Sequence, residues 1–280
     1  MASRRNFIGN AAVALAGAWG LVHHKTQAAI SKKLSAEKDQ FQLGIAGYSF
    51  VHFNLAESLS MMKRMDVRNL CIKDFHLPFT STAQQISDFH QTLSASNVIG
   101  YAVGPIYMNK SREQIDQAFD YARKVGVDLL IGIPQKDDLA YIAQKANHYK
   151  IRYAIHNHGP EDKLYPNASV IADLIGGLNA YMGICFDMGH EMRDGKDPKE
   201  ALKRYHLRIF DIHLKNVTAA AAEGTTCELS RGVIDIPEFV DTLREIGYKG
   251  MCSLEYEKDM KDPLAGLAES TGYFRGVVAR

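Results

Sequence analysis

The sequence is short of several things, and each shortage excludes something. Its 33 basic residues barely outnumber its 32 acidic ones, and a net charge of +1 gives no electrostatic pull toward nucleic acid. The four cysteines, Cys71, Cys185, Cys227 and Cys252, stand far apart with no CxxC spacing. They offer no disulfide framework and read as free thiols, three of them small hydrophobes within apolar segments. No Gly-, Pro- or Ser-rich linker divides the chain after residue 40, and no sequence repeat stands out, so residues 41–280 read as one domain. The longest apolar run near the N-terminus, residues 11–22, is too short to span a membrane. No acidic residue precedes Glu37.

That N-terminus has the layout of a secretory signal. Arg4 and Arg5 precede Phe7 and Ile8, the apolar run follows, and Thr26-Gln27-Ala28 offers a small-x-small cleavage site. The paired arginines resemble the twin-arginine export motif. The resemblance implies a signal over 1–28, a periplasmic destination, export of a folded, metal-loaded protein and no stable membrane association afterwards. Cleavage would remove Arg4, Arg5 and Lys25 and no acid, leaving 30 basic against 32 acidic residues and a net charge of −2. Residues 29–40 read as a mobile leader.

Past residue 40, short apolar runs alternate with amphipathic stretches. Strands are expected at 42–50, 67–76, 98–106, 127–134, 151–158, 182–189, 208–216 and 250–257. Helices are expected at about 55–65, 82–96, 111–125, 137–149, 167–178, 197–206, 236–247 and 262–278. Ser111 and Asp197-Pro198 read as helix starts, and Gly126 and Gly247 as helix ends. Strictly alternating strands and helices imply parallel pairing, and eight such units fit an α/β fold, a single (β/α)8 TIM barrel. A doubly wound open sheet would need a nucleotide-binding turn after the first strand, and Gly44 to Gly47 lies within a strand pattern instead.

Barrel enzymes carry their chemistry at the C-terminal ends of the strands. Strand side chains alternate between faces. In 208–216, Phe210, Ile212 and Leu214 share the face suited to helices, which turns Asp211, His213 and Lys215 inward. The same parity turns Ser253, Glu255 and Glu257 inward, with Ala154, His156 and His158, with Cys185 and Asp187, and with Cys71 and Lys73. His156, Asp187, His213 and Glu255 thus stand at the same height on four neighbouring strands. An unpaired buried carboxylate is expensive, and a bound divalent ion removes that cost. Imidazole with carboxylate favours Mn²⁺ or Zn²⁺.

The residues 181–190, YMGICFDMGH, bring in a resemblance. The chain resembles the xylose-isomerase-like sugar isomerase and epimerase superfamily over about 41–280. DMGH matches the strand-six motif, HLKN the strand-seven motif, and RGVID followed by LEYE the last unit. The resemblance implies Asp187, His213 and Glu255 as metal ligands and His190 as a substrate-contacting histidine. It also implies a Glu ligand on strand five, where this chain has His156-Asn157-His158. Replacing that Glu keeps a ligand but removes a carboxylate base.

The expected reaction is proton removal beside a carbonyl of a small carbohydrate, giving isomerisation or epimerisation, with lyase chemistry on a 3-keto-glycoside or keto-inositol-like substrate as the alternative. Glu255, His190, His158, Lys73 and Lys215 are candidates for the proton-transfer and charge-stabilising roles. His76, Tyr107 and Arg231 are candidates for substrate contact. Export favours an unphosphorylated substrate. A non-catalytic carbohydrate-binding barrel would explain His156 but not the retention of the other three ligands. Homo-oligomerisation is compatible with the sequence.

Overall fold

The computed structural model describes residues 39–280, so the expected signal at 1–28 and nearly all of the leader lie outside the described residues. Eight strands close a parallel barrel: β1 (Gln42–Ala46), β2 (Asn69–Ile72), β3 (Ile99–Met108), β4 (Leu129–Pro134), β5 (Arg152–His156), β6 (Met182–Asp187), β7 (Ile209–Leu214) and β10 (Met251–Leu254). A two-stranded antiparallel hairpin, β8 (Asn216–Val217) with β9 (Thr226–Cys227), follows β7. The helices are α1 (Leu55–Met65), α2 (Ala83–Ala95), α3 (Arg112–Val125), α4 (Leu139–Tyr149), α5 (Ala168–Ile175), α6 (Met188–Arg193), α7 (Pro198–Tyr205), α8 (Ile236–Glu245) and α9 (Leu264–Val278).

Local chemistry sets the helix ends. Asn54 with Glu57 and Thr82 with Gln85 form reciprocal capping boxes at α1 and α2. Asp197 and Asp235 cap α7 and α8, each with Pro within the first two helical positions. Gly126, at φ 80°, ends α3 in the left-handed conformation that glycine adopts without strain.

Between strands and helices lies an apolar shell that includes Ile45, Leu70, Val103, Leu130, Ile155, Ile184, Ile212 and Leu254, with Phe119 and Phe239 from the helix layer. Phe239 is fully buried; truncating it to Ala would cost about 3–5 kcal/mol. Inside the barrel lie Cys71, Ala102, Leu129, Ile131, Ala154 and Cys185, with Tyr101 and Phe210 packed against them. Phe210 departs from the expected parity. Between β6 and β7 the register skips residue 210, so two residues of β7 oppose one step of β6. This bulge brings the Phe210 ring against Gly183, where a Cβ would lie 2.3 Å from Cε2. All four cysteines are buried free thiols.

Most expected strands run past the observed ends. Those at 42–50, 67–76 and 151–158 stop at Ala46, Ile72 and His156. The extra residues are where the backbone leaves the sheet to form the mouth.

Candidate active site

β5 ends on His156, β6 ends on Asp187, β7 carries His213, and Glu255 directly follows β10. Strand register sets Asp187 beside His213 and His213 beside Ser253, which levels these ends. One ligand atom from each of His156, Asp187, His213 and Glu255 lies within 4.8 Å of all the others, and all four residues are buried. His156 Nε2 is 3.0 Å from His213 Nδ1, and His213 Nδ1 is 3.1 Å from Glu255 Oε2. His156 Nε2 is also 3.7 Å from Asp187 Oδ2 and 3.8 Å from Glu255 Oε2.

Asp187 divides its two oxygens. Oδ1 accepts from the His190 amide at 2.8 Å and caps α6. Oδ2 faces the cluster and makes no hydrogen bond, although the Lys215 ammonium lies 3.0 Å away as an ion pair. The Asn157 side chain holds the backbone there: it donates to the Asp187 carbonyl at 3.0 Å and accepts from the Asp187 amide at 2.8 Å. Glu191, buried on α6, accepts from the Ala168 amide at 2.8 Å. Burial pushes its carboxyl up to about 7.

Lys215, just past the end of β7, reaches into the cluster. Its ammonium lies 3.0 Å from Asp187 Oδ2, 2.9 Å from Glu255 Oε2 and 2.7 Å from Glu257 Oε2, with His190 Nε2 at 3.3 Å. An ammonium has three donors, and three carboxylates surround this one.

These contacts set the charges. Burial opposes the charged forms of Asp187 and Glu255, but Lys215 outweighs it and holds both carboxyls well below the usual range, helped at Glu255 by His213. Burial also opposes charging His213, yet Glu255, Asp211 and Asp187 push that imidazole up to about 9. Burial, with His158 and His213 nearby, drives His156 down to about 3. Burial and Lys215 hold His190 well below its ordinary value.

The quartet fits a divalent ion. Tetrahedral ligands about 2.0–2.1 Å from zinc stand roughly 3.3 Å apart, and the four close pairs here, from 3.0 to 3.8 Å, bracket that spacing. Asp187 Oδ2 is a buried oxygen without a hydrogen bond, and two imidazoles with two carboxylates suit Zn²⁺ or Mn²⁺.

Around the quartet stand groups able to handle protons. His158 Nδ1 is 3.2 Å from Asp162 Oδ2, and this contact leads in lowering the Asp162 carboxyl to about 2. The His158 ring lies 4.5 Å from His156 and 5.9 Å from His190, centroid to centroid. Tyr107 stacks parallel to His158 at 5.9 Å. Arg193 donates to Glu161 and, at 2.6 Å, to the Ala222 carbonyl, tying the loop after β5 to the loop between β8 and β9.

Of the residues expected from sequence, His156, Asp187, His213, Glu255, His158, His190, Lys215 and Tyr107 gather at one mouth. Three do not join the cluster's contacts. Lys73, on the side of the ring opposite β6, donates to the Pro105 carbonyl at 2.5 Å and lies 5.9 Å over the Tyr48 ring. The Nε2 of His76 bonds Ser58 Oγ at 3.1 Å and lies 3.2 Å from the Phe53 carbonyl, joining the loop after β2 to α1. Burial lowers His76 to about 4. Arg231 is exposed and forks onto Glu269 of α9, with contacts of 2.7 and 2.5 Å. Asp162, Arg193, Asn157 and Glu191 went unnoticed. The signals were a carboxylate four residues after His158 and an arginine three after His190, both within reach only if the turns are known.

Comparison with known proteins agrees with this fold. No curated protein matches the chain. An uncharacterised protein from Parabacteroides distasonis is 24% identical, with a TM-score of 0.66 over 84% of this chain and 98% of its own. The probable 3-DHS dehydratase AsbF of petrobactin synthesis, from Bacillus anthracis, is 14% identical, with a TM-score of 0.69 over 84% and 99%. The IolI protein, solved with a zinc atom, is 16% identical, with a TM-score of 0.66 over 85% and 98%. At such identities these likenesses speak for the fold alone. A family model matches residues 46–277, and the chain belongs to the family it describes, the xylose isomerase-like TIM barrels.

Proposed function

We propose that the chain is a divalent-metal-dependent isomerase or epimerase of an unphosphorylated sugar or keto-sugar. The observation that carries this reading is the convergence of four donor atoms from His156, Asp187, His213 and Glu255 within 4.8 Å at the C-terminal end of the barrel. A divalent ion held there would polarise a carbonyl and its neighbouring hydroxyl and stabilise charge developing on oxygen.

The chain's own groups would move the proton. Glu255 suits the ligand role better than the base role, since Lys215 and His213 hold it ionised and thereby weaken it as a proton acceptor. His158 suits the base role: Asp162 fixes its Nδ1, and it is only part-buried at the mouth. In this reading His158 takes the proton from the carbon beside the carbonyl. His158 then returns that proton to the neighbouring carbon or to the same one, while His190, neutral because burial and Lys215 disfavour its charged form, stands beside it to hydrogen-bond a sugar oxygen. Tyr107 would hold the sugar edge beside His158.

A second reading has one specific observation behind it. His156 stands where the resemblance implies a carboxylate, while His158 and His190 face one space 5.9 Å apart. A base and a leaving-group acid so placed suit elimination from a 3-keto-glycoside: C–H and C–O bonds break, a C=C bond forms, and the acid's proton leaves with the alcohol.

The test is NMR in D₂O with metal-loaded protein and a panel of free sugars and 3-keto-glycosides. Deuterium entering beside the carbonyl together with interconverted sugars supports the first reading. Cleaved keto-glycosides with unchanged free sugars support the second. No exchange into any substrate overturns both. Export belongs to this proposal, since a periplasmic enzyme would meet unphosphorylated sugars; a reporter fused to residues 1–28 should lose export when Arg4 and Arg5 become Lys.

A further inference from the structure

Lys215 is the least expected group in a metal centre, since a cation adjoins the very oxygens that would bind one. Asp187 Oδ2 and Glu255 Oε2 each lie about equally near the ammonium, at 3.0 and 2.9 Å. The same two oxygens stand 3.7 and 3.8 Å from His156 Nε2, so they face both the imidazole pair and the ammonium.

The surroundings are built to keep the ammonium there. Glu257 Oε2 binds it at 2.7 Å, and the Lys215 side chain is only 1% exposed. The glycine of DMGH makes room for its stem: a Cβ on Gly189 would lie 2.7 Å from Lys215 Cγ and 3.0 Å from both Cβ and Cδ. The charges also close. Asp187, Glu255 and Glu257 carry three negative charges; Lys215 supplies one positive charge and a divalent ion two. With the lysine alone, a net charge of −2 is left among these groups; with lysine and ion together, none.

We propose that Lys215 is a built-in cation that holds Asp187 and Glu255 in place before the ion arrives and shares their oxygens with it afterwards. The barrel therefore folds without its ion, and the ion is an exchangeable cofactor. Lys215 acts through the ligands, as a positioning residue. This rests on the metal reading above.

Lys215→Met tests it. Without the ammonium, two or three buried carboxylates repel one another, which penalises the ion-free chain more than the loaded one. Removing the positive charge of Lys215 also strengthens the attraction for the ion. Binding of Zn²⁺ or Mn²⁺, measured by competition with a chromophoric chelator, should tighten by about tenfold or more. Chelation should lower the midpoint of thermal unfolding of the unaltered chain less than that of the variant, which should recover when Zn²⁺ is added. A folded variant that binds Zn²⁺ no more tightly overturns the proposal, as does an unaltered chain that chelation destabilises as much as the variant.

Glu257→Gln is the second arm, should the Met variant not fold. Glu257 is on the half-exposed side of the ammonium, so its loss leaves the ligand quartet intact. The ammonium then leans on Asp187 and Glu255 alone, and Zn²⁺ affinity should fall several-fold; an unchanged affinity counts against sharing. If neither the unaltered chain nor any variant binds a divalent ion, both the metal reading and this one fail. If all bind it equally, only this one fails.

Discussion

Gly189→Ala sets two opposed effects against each other at one atom. Gly189 sits in α6, with its φ outside the left-handed region. Ala in a helix interior is favoured over Gly by about 1 kcal/mol. Against that, the new methyl would overlap the Lys215 stem, with contacts of 2.7, 3.0 and 3.0 Å. The stem cannot swing aside cheaply, because its ammonium is held by three carboxylates at 2.7 to 3.0 Å. Overpacking a filled site costs about 1–3 kcal/mol, and any shift that frees a carboxylate adds to it. The expected net effect is destabilisation by up to about 2 kcal/mol. Gly272 and Gly276 provide the control. Both are helical and exposed in α9, and a Cβ on either meets nothing within 4 Å. Ala at either should stabilise by up to about 1 kcal/mol. Urea unfolding of the three variants, read as midpoints at unchanged slope, measures the difference. A Gly189→Ala chain as stabilised as the controls would refute the claim that Lys215 is pinned.

Asp187→Ala removes a ligand oxygen and the cap of α6 together, so elemental analysis should find its Zn²⁺ or Mn²⁺ content lost; content equal to the unaltered chain would remove the residue from the ligand set. Asp162→Asn should lower kcat more than it raises KM, because it loosens His158 without touching the quartet, and an unchanged kcat would take the base role from His158. Arg231→Ala should leave KM and the urea unfolding midpoint nearly unchanged, since its exposed guanidinium forks onto the part-exposed Glu269. In the chelated chain His213, faced by Glu255, Asp211, Asp187 and His156, has its pKa raised to about 9. A raised histidine stabilises the fold fully below about 6.5, and that stabilisation is lost as pH rises through about 9. Unfolding midpoints in chelator should therefore fall between those values, and a flat profile would deny the imidazolium.

The strand-helix alternation made the barrel legible, because parallel strands covered by helices leave an apolar pattern that even short windows show. Side-chain parity was nearly as informative, turning His156, Asp187, His213 and Glu255 toward one point. It failed at Phe210, where a one-residue bulge changes the face without leaving a mark on composition. It says nothing of the partners of Lys73, His76 and Arg231, whose contacts here are with Pro105, Ser58 and Glu269, since chain position does not decide which partner a long side chain finds. The helix α6 was read as continuing strand because DMGH is short and Met188 is apolar. Its cap is Asp187, a residue already accounted for as a ligand.

That double use of Asp187 gives the protein an internal reporter. The His190 amide proton rests on Oδ1, while Oδ2 of the same carboxylate faces the imidazoles and Lys215. Charge drawn from one oxygen is charge withdrawn from the other. The resonance of a single backbone N–H, readable in an ¹⁵N-labelled sample, should therefore move as cations come and go on the far side of the group that holds it.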